Sequence, residues 1–285
     1  MSRMSAGPSP VSVVVPAHNE AAGIGRVLSL LTSGADDRDV EVVVACNGCT
    51  DGTADVARGF PGVVVLDLPE PSKRLAMKAA DEVASHSVRA YLDADVRVRR
   101  EHLLALVDAL DDRTIATGPE RRFVLESSSW PVRWYYDVWT RLPNVRDGLF
   151  GRGLIVLSAQ GHERVRSLPL VMSDDLAISE AFSPEERRVV AGAVAEIEAP
   201  RTVRDLLKRR VRIATGNTQL DQLGMRSTVA RTSLSDLLHI ASGSPALAAK
   251  VAMYVAITGS GRLLARRRVR RGDWTTWSRD ESSRR

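Results

Sequence analysis

Only two cysteines occur in the 285 residues, Cys46 and Cys49, too few for a four-ligand zinc site or a disulfide framework. Aromatic residues are scarce at 5%, and no apolar run approaches the roughly 20 residues that a spanning helix needs. No P-loop signature is present, and Gly23-Ile24-Gly25 is too late and too incomplete for a dinucleotide fingerprint, so a P-loop NTPase and a Rossmann dehydrogenase are both disfavoured. The opening MSRMSAGPSP lacks the apolar stretch of a secretory signal. With two thiols and no such signal, the expected location is the reducing cytoplasm.

What is there is an ordinary globular composition, 44% hydrophobic and 26% charged. Forty Lys and Arg against 35 Asp and Glu give a formal charge of +5 and a pI near 9.6. Six arginines between Arg262 and Arg271, with no acid among them, account for +6 and leave the rest of the chain at −1. The basic character therefore belongs to the tail, and no nucleic-acid partner is expected.

The first 110 or so residues alternate β-branched runs with helical stretches. Val11 to Val15 and Val40 to Ala45 are largely apolar and bounded by turn residues, the pattern of strands buried on both faces of a parallel sheet. Val63 to Leu66 and Ala90 to Leu92 continue it, with helices expected over Ala21 to Leu31, Thr53 to Arg58 and Ala76 to Ser85. Such a βαβ order predicts an α/β, doubly wound, mostly parallel sheet with helices on both faces, whose ligand lies beyond the carboxyl ends of the strands. Polar clusters fall there: Pro16 to Glu20 after the first strand, Asn47 to Thr53 after the second, and Asp93-Ala94-Asp95 after the fourth.

Asp93 and Asp95 flank one residue at the end of a strand, and the period of two turns both carboxylates to one side. With a diphosphate they would make a hard oxygen site for Mg²⁺ or Mn²⁺; a solvated loop is the bland alternative. Gly48 and Gly52 suit a tight turn, after which Asp51 or Thr53 can cap a helix. Cys46 and Cys49 have CxxC spacing, but the intervening Asn47-Gly48 looks like turn chemistry rather than a redox pair. Asp174 and Asp175 suit a helix N-terminus by their charge alone. The sequence contains five tryptophans, four tyrosines and four phenylalanines, and five of these aromatics lie in Trp130 to Trp139. On a helix, Trp130 would stack beside Trp134 and Tyr135 beside Trp139, for core packing, for a sugar platform or for membrane contact.

Taken in order, six stretches resemble family 2 glycosyltransferases, the large inverting group with a GT-A fold. VSVVVPAHNEAAGIGRVLSLL is similar to the opening strand, turn and helix, VVVACNGCTDGTADVA to the aspartate-rich second turn, and SKRLAMKAAD to the lysine-bearing helix. YLDADV resembles the Asp-x-Asp site, VMSDDLAIS the acidic motif with the catalytic base, and KRRVRIATGN the arginine-bearing helix. The resemblance spans about residues 11 to 220 and implies roles. Pro16, His18 and Glu20 would line the nucleotide pocket, and Asn47 would face the base where the family more often has Asp. Lys73 would approach the nucleotide, Asp93 would meet the ribose or metal, and Asp95 would hold the Mn²⁺ or Mg²⁺. Asp175 would be the general base and Arg212 the motif arginine. Where polymer synthases have Gln-x-x-Arg-Trp, this chain has Arg209 and Ile213 in place of Gln and Trp, which favours single over processive transfer.

The resemblance implies an enzyme transferring one sugar from a nucleotide-sugar donor to a glycan, lipid-linked or small-molecule alcohol acceptor, in glycan or glycolipid assembly. Two alternatives remain: a sugar-nucleotide nucleotidyltransferase, which would normally show a Gly-rich loop after strand one, and a non-catalytic nucleotide-binding module docked on a membrane. The expected organisation is a flexible terminus at 1–10, a nucleotide-sugar half at 11–115, an acceptor half at 116–225 and a helical extension with basic tail at 226–285. Leu237 to Gly261 is poor in charge but interrupted by Gly243, Ser244 and Pro245, so it makes a poor membrane span. With the arginines, Trp274 and Trp277, it suits either docking on the anionic inner face of the cell membrane or packing beneath a solvated tail.

Overall fold

The computed structural model describes residues 9–33, 39–169 and 171–270. Most of the 1–10 segment, and Arg271, Trp274 and Trp277 of the basic tail, lie outside the described residues. In chain order the elements are β1 (Val11–Ala17), α1 (Ile24–Thr32), β2 (Val40–Asn47), α2 (Thr53–Arg58), β3 (Val63–Leu68), α3 (Lys73–Val83), β4 (Val88–Leu92), β5 (Val96–Val98), α4 (Arg100–Asp108) and β6 (Ala116–Val124). There follow α5 (Trp130–Trp139), α6 (Pro143–Asp147), β7 (Leu154–Leu157), α7 (Ala159–Arg166), α8 (Asp174–Glu180), β8 (Arg187–Glu198), α9 (Val203–Gln222), α10 (Leu234–Ser242) and α11 (Pro245–Arg270).

The chain divides into two compact units. The first holds the described residues up to Arg122 with Gly151–Leu168 and Phe182–Ile197. Its sheet has the order β3-β2-β1-β4-β7-β6-β8-β5. β1 pairs in parallel with both β2 and β4, and β2 with β3, whereas β7 runs antiparallel to β4 and β6, and β5 to β8. All seven residues of β1 are buried, as a strand covered on both faces requires. α1 buries Ile24, Val27, Leu28 and Leu31, the i, i+3, i+4, i+7 stripe of a helix with one face on a core. The chain leaves β1 for β2 and β3, then returns to the other flank as β4. That places the switch point of this doubly wound sheet between β1 and β4.

α1 starts at Ile24, three residues later than expected, because Asn19 to Gly23 form a turn whose amides bond elsewhere. Asn19 adopts φ 51°, Glu20 N–H donates to Thr53 Oγ1 at 2.7 Å, and Ala21 N–H to Asp51 Oδ2 at 3.1 Å.

The second unit holds Phe123–Phe150, the described part of Pro169–Ala181, and the described residues from Glu198 on. It is helical. α11 lays Val251, Tyr254 and Ile257 into a core with Val132, Tyr135, Tyr136 and Leu206. Gly261 admits α9 closely: a Cβ there would stand 2.9 Å from Arg210 Cβ. Ser233 and Asp236 form a reciprocal capping box at the start of α10, and Gly243-Ser244 separates α10 from α11. No helix among the described residues is long and apolar enough to cross a membrane.

The aromatic segment is helical as expected, but its pairing differs. Trp130 and Trp134 meet edge to face, at 4.8 Å and 71°. Tyr135 does not pair with Trp139; it stacks on Tyr254 of α11 at 5.0 Å, while Trp139 meets Tyr136 and Phe123. A buried neighbour helix outcompetes the local i, i+4 contact, so Tyr135 and Tyr136 serve core packing, whereas Trp130 remains 57% exposed.

Candidate active site

The carboxyl ends of β1, β2 and β4 are adjacent, and the turns that follow β1 and β2 are laced together. His18 Nδ1–H donates to the Asn47 carbonyl at 2.5 Å, which places the ring proton on Nδ1. Thr50 N–H donates to Asn19 Oδ1 at 2.7 Å. Pro16 is buried inside β1, and Glu20 is buried at 6% exposure. Partial burial pushes the Asp51 carboxyl up, but hydrogen bonds from Thr53 and from the Ala21 and Thr53 amides outweigh it and hold it below its ordinary range. Asp51 therefore braces the turn and also takes the Thr53 amide at the start of α2, although the N-cap position itself is Gly52, which makes no side-chain bond.

Asn47 is buried, and its Nδ2 donates to Ala17 O at 2.8 Å and Ala45 O at 3.4 Å. Two carbonyls as neighbours fix the amide's orientation, because only the NH₂ end can bond to them. Gly48 must be glycine: its φ is +59°, and a Cβ would lie 2.9 Å from the Pro71 backbone nitrogen. That close approach sets the loop leading to Ser72, which caps α3 by accepting from Leu75 N–H. α3 begins at Lys73, whose Nζ reaches Asp93 Oδ1 at 2.6 Å.

The Asp-x-Asp segment does not continue β4. The strand stops at Leu92, Asp93 N–H donates to Gly153 O at 2.8 Å, and Val96 N–H closes a turn on Asp93 O at 3.0 Å. Strand periodicity therefore does not govern the two carboxylates. The turn buries Ala94 between them while leaving Asp93 half-buried and Asp95 exposed. No group of three or more His, Cys, Asp or Glu able to hold a metal occurs among the described residues. Asp93 and Asp95 are hard oxygen donors, the kind a divalent cation such as Mg²⁺ takes together with diphosphate and water oxygens.

Cys46 is fully buried, and burial together with Cys49 beside it pushes its thiol up to about 12. Cys49 Sγ lies 3.4 Å from Asn19 N and 3.5 Å from Ala17 O. Both thiols are free; the raised Cys46 thiol does not suit redox chemistry, and the Cys49 sulfur packs against the turn after β1.

Asp175 and Arg212 belong to the second unit. Asp174 and Asp175 form the first turn of α8; Asp174 is 6% exposed, Asp175 half-buried, and Asp175 Oδ1 accepts Leu176 N–H at 2.8 Å. α9 runs against the segment just before them. Gln219 Oε1 accepts Met172 N–H at 2.9 Å, and a Cβ on Gly216 would sit 2.1 Å from Ser173 Oγ and 3.0 Å from its Cβ and N. Arg212 precedes Gly216 by four and Gln219 by seven, so it lies on that same face of α9. Arg209 and Arg210 turn toward α5: Arg209 reaches the Tyr136 hydroxyl at 3.5 Å, and Arg210 lies over the Tyr135 ring at 5.8 Å.

Gly216 was not singled out in the sequence; its only signal was its spacing from Arg212. Replacing it with Ala should destabilise by about 1–3 kcal/mol, because the Ser173 hydroxyl can rotate away but its Cβ and N cannot. Gly259→Ala in α11, with nothing within 4 Å, should instead stabilise by about 0.5–1 kcal/mol. Urea midpoints of the two variants, moving in opposite directions, check the assignment.

A doubly wound sheet with acidic, lysine and amide side chains gathered at its switch point defines the GT-A, Rossmann-like class of α/β protein. The family model for glycosyl transferase family 2 matches residues 12–162, and the chain belongs to that family. Glycosyltransferase AglE of Haloferax volcanii is 30% identical over 99 residues, 33% of each chain. Undecaprenyl-phosphate 4-deoxy-4-formamido-L-arabinose transferase of Aeromonas hydrophila is 31% identical over 120 residues, 39% of this chain and 37% of that one. The match spans about a third of the length of these curated relatives. Among solved structures, the mannosyltransferase PcManGT from Pyrobaculum calidifontis, in complex with GDP-Man and Mn²⁺, superposes with a TM-score of 0.62 at 20% identity over 93% of this chain and 78% of that one. Mannosyl-3-phosphoglycerate synthase from Rubrobacter xylanophilus gives 0.51 at 19% identity over 77% of each. These two likenesses show a shared fold.

Proposed function

We propose that the protein is an inverting, non-processive glycosyltransferase that moves one sugar from a nucleotide-sugar to an alcohol acceptor with a divalent cation, Mn²⁺ or Mg²⁺. The observation that carries this reading is the strand-end cluster of Asn47, Lys73, Asp93 and Asp95 at the switch point of a family 2 chain. Asn47 spends its donor end on Ala17 O, so its oxygen is the end a base would meet. An acceptor there suits a ring N–H flanked by carbonyl chemistry, as in uracil or guanine, over cytosine or adenine. His18, Glu20 and Pro16 shape the wall of the nucleotide pocket. Lys73 holds Asp93 toward the ribose, and Asp95, the more exposed carboxylate, is the residue to hold the cation. When bound, that cation would offset the charge that grows on the leaving diphosphate. Arg212, the motif arginine, is the residue to add positive charge for the leaving diphosphate. Asp175 takes the proton from the attacking hydroxyl as its oxygen adds to the anomeric carbon and the nucleoside diphosphate departs.

The acceptor is a glycan, a small alcohol or a lipid-linked sugar. A second reading, a lipid phosphate as acceptor, is favoured by the name of the Aeromonas relative. The two differ chemically: a phosphate arrives already ionised and has no proton for Asp175 to remove.

A thermal-shift panel of nucleoside diphosphates and nucleotide-sugars, with and without Mn²⁺ or Mg²⁺, tests the donor half. The matching ligand at about 100 times its Kd should add ~2.7 kcal/mol of stability, and Asp95→Asn should cancel the cation's share of it. If no nucleotide shifts the transition, the nucleotide-sugar reading fails. If nucleotide-sugars bind but are neither hydrolysed nor transferred, the non-catalytic module replaces it.

A further inference from the structure

α11 buries one side and shows the opposite side to solvent. The buried positions Val251, Tyr254, Ile257, Thr258, Gly261 and Ala265 follow helical spacing. At 100° per residue, Ala248, Ala252, Val255, Ala256 and Leu263 fall on the far side, and all five are exposed. From Pro245 to Gly261, a length of roughly 24 Å, that side carries no charge. Lys250, the only charged residue before Arg262, faces the other way, with its Nζ 2.5 Å from Asp137 Oδ2. An exposed helix face normally carries charged and polar residues. This one carries small and branched apolar ones with the single hydroxyl of Ser260, then ends in the exposed Arg262, Arg266, Arg267 and Arg270, and α11 contains no acid at all. α10 adds Leu234 and Leu238, one turn apart and 71% and 62% exposed.

We infer that this surface of α10 and α11 docks on an anionic lipid bilayer, lying in its interface. The apolar side sinks to the boundary between headgroups and acyl chains, as amphipathic interfacial helices do, and the arginines meet lipid phosphates. Neither helix is long and apolar enough to cross. Charge selects this occupant over a second copy of the chain, which would bring the same arginines to a face whose long helix offers no acid to receive them. The inference goes beyond the proposed transfer reaction, since binding to lipid is read with no sugar nucleotide present.

The full chain should co-sediment with phosphatidylcholine vesicles that contain phosphatidylglycerol and not with pure phosphatidylcholine, and binding should weaken as salt rises. Replacing Arg266 and Arg267 with Gln should weaken binding about fivefold for each arginine. Replacing Val255 and Leu263 with Gln should weaken it about tenfold, with the circular dichroism spectrum and melting temperature unchanged. Folded protein that ignores anionic vesicles, or vesicle binding that neither pair of substitutions moves, overturns the inference. So does a dimer in light scattering that the Val255→Gln, Leu263→Gln pair dissolves, because the face then belongs to a second copy.

Discussion

Asp175→Asn should lower kcat on a hydroxyl acceptor by ~10²–10⁴-fold, the usual contribution of a positioned general base, while leaving the denaturation midpoint nearly in place. The substitution is close to isosteric. Its Oδ1 can still accept Leu176 N–H, the contact that Asp175 makes at 2.8 Å in the first turn of α8. What is lost structurally is one negative charge near a helix N-terminus, about 0.3–1 kcal/mol for an accessible site. The predicted loss in rate corresponds to roughly 3–5 kcal/mol of barrier, well above that structural cost. Unchanged KM for the donor with collapsed kcat would assign Asp175 to proton removal. Near-normal turnover would refute its role and favour the lipid phosphate reading, in which no proton need be taken. Asp174→Asn serves as the contrast: at 6% exposure Asp174 is the buried member of the pair, and its substitution should register in stability first.

The sheet was legible because its signals are local. The Val-rich runs Val11 to Val15 and Val40 to Ala45 carry the pattern of strands covered on both faces, and the polar residues after them lie on one edge once the strands are parallel. What could not be read was set by partners distant in sequence. The start of α1 moved to Ile24 because the turn before it is pinned from some thirty residues away, Thr53 and Asp51 taking the Glu20 and Ala21 amides. Tyr135 abandoned Trp139 for Tyr254, more than a hundred residues on. The orientation of the Asn47 amide, which decides whether it donates or accepts, depends on Ala17 O across the sheet. Gly216 carries meaning only once Ser173 is known to press against it. Asp93 and Asp95 sit in a turn, closed by Val96 N–H on Asp93 O, that no strand period describes.

Asp81→Ala should cost the first unit about 3–5 kcal/mol, the effect of removing one partner from a buried ion pair. Asp81, on α3, was not a candidate in the sequence. In the fold its side chain is 12% exposed and faces Arg89 of β4, itself only 3% exposed, with Arg89 Nε 3.0 Å from Oδ1. Tyr91 of β4 donates its hydroxyl to Oδ2 at 2.7 Å, and His162 of α7 brings Nε2 to 3.3 Å from Oδ1. Burial and the Asp81 charge together push the Tyr91 hydroxyl well above the usual tyrosine range, so it remains a donor. Truncation would strand the Arg89 guanidinium in the interior and leave the Tyr91 hydroxyl without its acceptor. The consequence reaches the site, because α3 is fastened to β4 at two places: by Asp81 in the interior and by Lys73 to Asp93 at the strand's end. The melting temperature should fall by on the order of 10 °C. The double variant Asp81→Leu, Arg89→Met should recover most of the loss, since replacing both ions by apolar groups removes the stranded charge along with its partner. A loss for Asp81→Ala below about 1 kcal/mol, the scale of an exposed pair, would show that the charge is not buried in solution. Failure of the double variant to recover would place the stabilisation in the Tyr91 and His162 contacts instead.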